Sequence, residues 1–117
     1  MSRLIQRIQS YLATPAYAQE KISDLLIELR HRGLTFEIRY IDEDGEKYFY
    51  AQSVNYPRGY ISASGQTMDE LERELKDAIF TAFGIPSRYC NPDLIVFNPP
   101  LAQTQTANAS KKIYATT

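Results

Sequence analysis

The stretch that decides the fold is residues 34–54. It reads Leu34-Thr35-Phe36-Glu37-Ile38-Arg39-Tyr40-Ile41, then Asp42-Glu43-Asp44-Gly45-Glu46, then Lys47-Tyr48-Phe49-Tyr50-Ala51-Gln52-Ser53-Val54. Leu34, Phe36, Ile38 and Tyr40 alternate with Thr35, Glu37 and Arg39, the period of a strand with one face buried. The acidic run is a turn, because Asp-Gly supplies residues that tolerate a positive φ, and it folds the chain into a hairpin. Lys47 to Val54 is the return strand, rich in side chains suited to a pleated surface. A loop, Asn55-Tyr56-Pro57-Arg58-Gly59, leads to a short third strand predicted over Tyr60–Ser64.

The period then changes. Thr67-Met68-Asp69-Glu70 fits a capping box, the threonine oxygen accepting the Glu70 amide proton and Glu70 reaching back. Met68, Leu71, Leu75, Ala78, Ile79, Ala82 and Phe83 make one apolar helical face, and Asp69, Glu70 and Glu72 suit its positive end. Gly84 and Pro86 stop it. Upstream, Leu4, Ile5, Ile8, Tyr11 and Leu12 predict a first helix. After the break at Thr14-Pro15, Ile22, Leu25, Leu26 and Leu29 predict a second. Arg30, His31 and Arg32 sit at that helix's negative end, and Gly33 caps it. Downstream, Asp93 to Phe97 reads as a short, continuously apolar strand ended by Pro99-Pro100. Ala102 to Ser110 is too polar to build a core. Lys112 to Ala115 is only weakly strand-like, so it is read as part of the tail. The predicted class is α+β: a helical extension at 1–33, a β-β-β-α-β domain at 34–98, and a polar, loose tail at 99–117.

Composition sets outer bounds. The chain has 117 residues, enough for one domain with a single core, and its 44% hydrophobic and 23% charged fractions exclude wholesale disorder. Its net charge of −1 argues against a generic nucleic-acid binder. The charge is unevenly spread: residues 34–66 carry five acids to three bases, and residues 67–98 six to three. The single cysteine, Cys90, cannot form an internal disulfide. The amino terminus lacks the apolar core of a signal peptide, and no apolar run is long enough to span a bilayer, so a soluble cytoplasmic protein is expected.

Catalytic constellations are scarce. His31 is explained by complementarity to a helix end, and Cys90 by partial burial as a structural thiol. No His/Cys spacing resembles a zinc site, and no glycine-rich phosphate loop occurs. The run at 42–46 lacks the oxygen spacing of a calcium loop and reads as a solvated hairpin tip. No enzyme activity, metal or cofactor is therefore expected. The first helix is expected to pack on the sheet or on a second copy of the chain rather than on a membrane.

The order of elements carries a resemblance. The hairpin at 36–54, Pro57-Arg58-Gly59, the run Ile61-Ser62-Ala63-Ser64-Gly65-Gln66-Thr67-Met68-Asp69-Glu70-Leu71, the continuation through Glu74, Ala78 and Ile79, and the strand at Leu94–Phe97 together resemble the HicB antitoxin family. The likeness covers about residues 34–98. It implies a truncated, ribonuclease H-like β-β-β-α-β unit without a catalytic set. It also implies a role in binding a small toxin that cleaves messenger RNA and blocking its active site. Many members add a carboxy-terminal DNA-binding domain. This chain departs from the pattern in its helical extension, in Arg58 inserted before the loop glycine, and in a tail too short and polar for such a domain.

These readings lead to a protein-binding module of the toxin–antitoxin kind, its partner a small basic protein drawn to the acidic surface. Its expected contact residues are Asp42, Asp44, Tyr48, Tyr50, Tyr56 and Arg58. An alternative is a nucleic-acid binder that stacks bases on a tyrosine-lined sheet beside Arg30, Arg32, Arg39 and Arg58. A third is a structural homo-oligomer assembled through the N-terminal helices. Tyr40, Tyr48, Tyr50, Tyr56 and Tyr60 lie on or between the predicted strands, which makes the sheet the place to look for a partner-binding surface.

Overall fold

The computed structural model describes residues 15–101 and 111–117. The helix expected at 3–12 and the polar stretch 102–110 lie outside the described residues. Within them run α1 (Pro15–His31), β1 (Leu34–Glu43), β2 (Glu46–Ser53), β3 (Ser62–Gly65), α2 (Met68–Ala82), β4 (Val96–Asn98) and β5 (Lys111–Thr116). Two short 3-10 turns, Ser87–Tyr89 and Pro92–Leu94, precede β4. The strands form one sheet in the order β3-β2-β1-β5-β4, antiparallel throughout.

The α+β class holds, and β1 is its centre. The register sets Phe36 opposite Ser53 and Ile113, Ile38 opposite Ala51, and Tyr40 opposite Phe49. Directly opposed residues share a face, so Leu34, Phe36, Ile38, Ala51, Ile113, Ala115 and Phe97 all point the same way. They join Leu25 and Leu29 of α1 and Leu71, Leu75, Ile79 and Phe80 of α2 in one hydrophobic core. Both described helices thus lie on one face of the sheet. Burying each large side chain of that core stabilises the fold by about 1.5–3 kcal/mol.

Local chemistry fixes the connections. The hairpin is a two-residue turn, with Asp44 at φ 53° and Gly45 at φ 81°, the left-handed pair that matches strand twist. Thr67 Oγ1 accepts the Glu70 amide at 3.1 Å and opens α2 as expected, whereas the return bond from the Glu70 carboxylate that would complete a capping box is not formed. Gly65 is required for another reason: a Cβ there would stand 2.6 Å from the Leu71 nitrogen, so only glycine lets β3 pass the start of α2. The loop between β2 and β3 is pinned at its root. Asn55 Oδ1 accepts from the Thr35 amide at 2.9 Å, its Nδ2 donates to the Gly33 carbonyl, and the buried Ser53 hydroxyl accepts from the Ile61 amide.

The carboxy-terminal residues differ from expectation. Residues 111–116 are not loose: they form β5, the strand between β1 and β4. Ile113 and Ala115 are fully buried, and their alternation with Lys112 and Tyr114 supplies a half-buried strand as soon as two neighbours are present to pair with it. The segment expected as the last strand is divided. Its first residues, Asp93 and Leu94, belong to the 3-10 turn Pro92–Leu94 capped by Asn91, and the strand proper, Val96–Asn98, pairs with β5. The third strand begins two residues later than predicted, because Ile61 is engaged with Ser53 at the loop's root. Ile113→Ala should cost about 2–5 kcal/mol in a urea unfolding experiment. Lys112→Ala, one residue away on the opposite face, should stay within about 0.5 kcal/mol of wild type.

Candidate functional site

The face of the sheet opposite the helices carries Thr35, Glu37, Arg39, Ile41 and Glu43 from β1. From β2 come Glu46, Tyr48, Tyr50 and Gln52, from β3 Ser62 and Ser64, and from β5 Lys112 and Tyr114. Alternation alone brings these together. Their distribution divides the face into two ends. Near the hairpin, Tyr48 stands opposite Ile41, and Tyr50 lies between Arg39 and Ser64, all but Arg39 and Ser64 half-buried. Toward the other end, Glu37 lies between Gln52 and Lys112, and Thr35 opposite Tyr114. Tyr114 is 49% exposed and Val96, on the edge strand, 52%.

Charges on this face are partly settled internally. The Arg39 guanidinium donates through Nε to Glu37 Oε1 at 2.8 Å, and its Nη2 lies 2.7 Å from the same oxygen. The hairpin end is different. Glu43 and Glu46 are direct cross-strand partners at the turn, an arrangement in which like charges repel. Beside them, Glu46, Tyr48, Tyr50, Ser64, Gln66 and Glu70 line a groove of about 780 Å³.

The residues expected to contact a partner are distributed over three places. Tyr48 and Tyr50 share the open face. Asp44 forms the turn, and Asp42, paired with Lys47, falls on the helix side of the hairpin by alternation. Tyr56 and Arg58 are elsewhere. The Tyr56 hydroxyl donates to the Ala82 carbonyl at 3.4 Å, and its ring lies 6.0 Å from that of Phe83, so it wedges the loop against the end of α2. Arg58 lines a groove that Tyr56 also reaches, opposite Lys21, Asp24 and Glu28 of α1 and Arg32 just beyond it. Of the other tyrosines, Tyr40 packs against Phe49 in the helix layer, at 5.1 Å between rings. Tyr60 is 76% exposed and flanks Tyr50, Arg39 and Val54.

Of the four arginines of the nucleic-acid alternative, Arg32 and Arg58 line one groove, away from the tyrosine-bearing sheet face, together with Lys21, Asp24 and Glu28. Arg39 alone lies on the open face; Arg30 and Arg32 belong to the end of α1, and Arg58 to the β2–β3 loop. Glu46, Ser64, Gln66 and Glu70 were not singled out from the sequence. Glu46 was within reach of it, being two residues before Tyr48 and four before Tyr50, hence on the same face. The others depend on how β3 and α2 pack beside β2.

A third groove, of about 290 Å³, runs along α2 between Asp69, Glu72, Arg73, Lys76, Asp77, Phe80, Cys90 and Pro92. Lys76 caps it, 5.9 Å from the centre of the Phe97 ring and 4.0 Å from Glu72 Oε1. The Cys90 thiol lies 3.4 Å from the Pro86 carbonyl. Burial pushes its pKa above the ordinary thiol value, and the negative charge of Asp77 adds to the rise. Among the described residues, no cluster of three or more His, Cys, Asp or Glu side chains could hold a metal ion, and no helix is long and apolar enough to cross a membrane. No protein-family model, curated protein or solved structure matches the chain.

Because Cys90 holds its proton more tightly when folded, its contribution favours the native state below the ordinary thiol pKa. That contribution is lost as pH rises through the folded value. Alkylation by iodoacetamide at pH 8.5 should accordingly be slower in buffer than in denaturing urea, and Asp77→Asn should speed the native reaction. Equal native and denatured rates would contradict the assigned environment.

Proposed function

We propose that the chain is a non-catalytic protein-binding module of the HicB antitoxin type. In this reading it presents its open sheet face and acidic hairpin to a small basic RNA-cleaving protein and masks that partner's active site. The observation that carries the proposal is the juxtaposition of Tyr48 and Tyr50 with Glu43, Glu46 and Glu70 at one end of a sheet face that neither described helix covers. Half-buried tyrosines supply contact area at low entropic cost, and a rim of one sign selects partners of the other. The proposal extends to the fold: β1, β2, β3 and α2 correspond to the first four elements of a partial ribonuclease H-like unit, into which β5 is inserted beside β1. A cytoplasmic location goes with this function.

At the open face, protein recognition is favoured over nucleic acid because Arg39 is the one of the four arginines that lies there. Stacking on Tyr48 and Tyr50 would bring a phosphate backbone toward Glu43, Glu46 and Glu70, while Arg39 on that face is already engaged with Glu37. Self-association is the other reading with an observation behind it, since α1 carries Ile27 at 52% exposure. If α1 joins two copies, Ile27→Lys should lower the sedimentation coefficient of the full chain; identical sedimentation would exclude that contact.

The direct test is co-expression with the product of the adjacent reading frame, if that frame encodes a small basic protein. The expected result is a stable complex in which RNA cleavage is suppressed, and loss of suppression with Tyr48→Ser/Tyr50→Ser at unchanged unfolding midpoint. A complex fully resistant to both substitutions would place recognition elsewhere.

A further inference from the structure

Resting on that reading, we propose that the groove at the hairpin end of the open face is a receptor for an arginine side chain of the protein partner. Its two walls come from different parts of the chain. Tyr48 and Tyr50 rise from β2 with Ser64 of β3 beside them. Gln66 approaches from the connection after β3 and Glu70 from the first turn of α2, and Glu46 closes the turn end. Aromatic surface and carboxylates therefore meet in one concavity.

Charge selects the occupant. Among the described residues, neither Glu46 nor Glu70 makes an ion pair. Lys47 lines the groove as well and makes no ion pair among the described residues, so the lining carries two carboxylates against one ammonium. Glu46 also faces Glu43 directly across the ladder. A cation entering here relieves that repulsion and meets the π faces of tyrosines at the same time.

Shape selects the kind of cation. A guanidinium is flat, so it lies against a tyrosine ring while its edges donate to carboxylates in forked pairs. It is also more weakly hydrated than an ammonium, which lowers the cost of entering a half-enclosed groove. Ser64 and Gln66 offer neutral oxygen acceptors for the remaining N–H groups. A lysine ammonium satisfies the charge but not the stacking, and an acidic side chain is repelled.

The test is an NMR titration of the isotopically labelled full chain with the blocked peptide Gly-Arg-Gly-Arg-Gly. Its lysine and citrulline counterparts serve as controls. Expected are saturable shifts confined to the amides of Glu46, Tyr48, Tyr50, Ser64, Gln66 and Glu70, weaker binding of the lysine peptide and none of the citrulline peptide. Glu46→Gln with Glu70→Gln should weaken the arginine peptide about tenfold, as should Tyr50→Leu, at unchanged unfolding midpoint. No saturable shift, shifts scattered over the surface, or equal binding of all three peptides overturns the assignment. The two readings fail separately. Confined arginine binding without any RNA-cleaving partner leaves the groove standing and removes the antitoxin role. A masked partner whose binding ignores Glu46→Gln/Glu70→Gln leaves the module standing and removes the arginine.

Discussion

Everything in this molecule depends on the alternation of β1. Leu34, Phe36 and Ile38 are almost wholly buried, while Thr35, Glu37 and Arg39 face the other way. With a side-chain period of two, sliding β1 by one residue would place Glu37 and Arg39 in the core and three large apolar groups on the outside. Such a slip would forfeit several kcal/mol, comparable to the whole stability of a small domain. The register with β2 and β5 is therefore fixed, and with it the identity of every residue on both faces. The two-residue turn at Asp44-Gly45 and the clasp of Asn55 on Thr35 and Gly33 enforce the same register from opposite ends of the hairpin.

Placing both described helices on one face bears directly on the proposed function. A helix layer covers one side of the sheet and leaves the other to be stabilised by its own cross-strand neighbours. Here the internally settled portion is the Glu37–Arg39 pair with Lys112 opposite Glu37. The unsettled portion is the hairpin end, where tyrosines adjoin like-charged glutamates. Stability alone does not account for Glu43 facing Glu46, since an opposite-charge pair at the same exposed site would favour the hairpin more. In the proposed function the pair is part of a surface that acquires its favourable electrostatics when a cationic partner arrives.

Most of the scaffold could be read from residue order because its signals are local. The capping threonine, the period-two strand and the Asp-Gly turn each act within a few residues, and each formed where expected. β5 could not be read in the same way. Ile113 and Ala115 are two apolar residues in an otherwise polar end, and their burial follows from pairing with β1, some 75 positions earlier, and with β4. Tyr56 shows the converse. By composition it belongs with the other loop and strand tyrosines, but its contacts with Ala82 and Phe83 come from α2, and no local pattern announces them. The groove was half legible: parity joins Glu46 to Tyr48 and Tyr50, whereas Glu70 enters only because Gly65 allows α2 to start close against β3.

That last contact links fold to surface. Gly65 sits opposite Phe49, on the core side of the sheet, with the Leu71 nitrogen where its Cβ would be. Any larger residue there pushes the first turn of α2 outward, and Glu70 lies in that turn. The position of one carboxylate on the open groove is thus set by a packing constraint on the opposite side of β3. Backbone packing fixes where the Glu70 side chain leaves the helix, and among the described residues its carboxylate has no counter-ion. That packing sets the origin of the charged wall before any partner arrives, which removes part of the entropic cost of recognition. It also accounts for the capping threonine and the glycine occurring together, two residues apart, where the sheet hands over to the helix: one orients the turn and the other lets it approach.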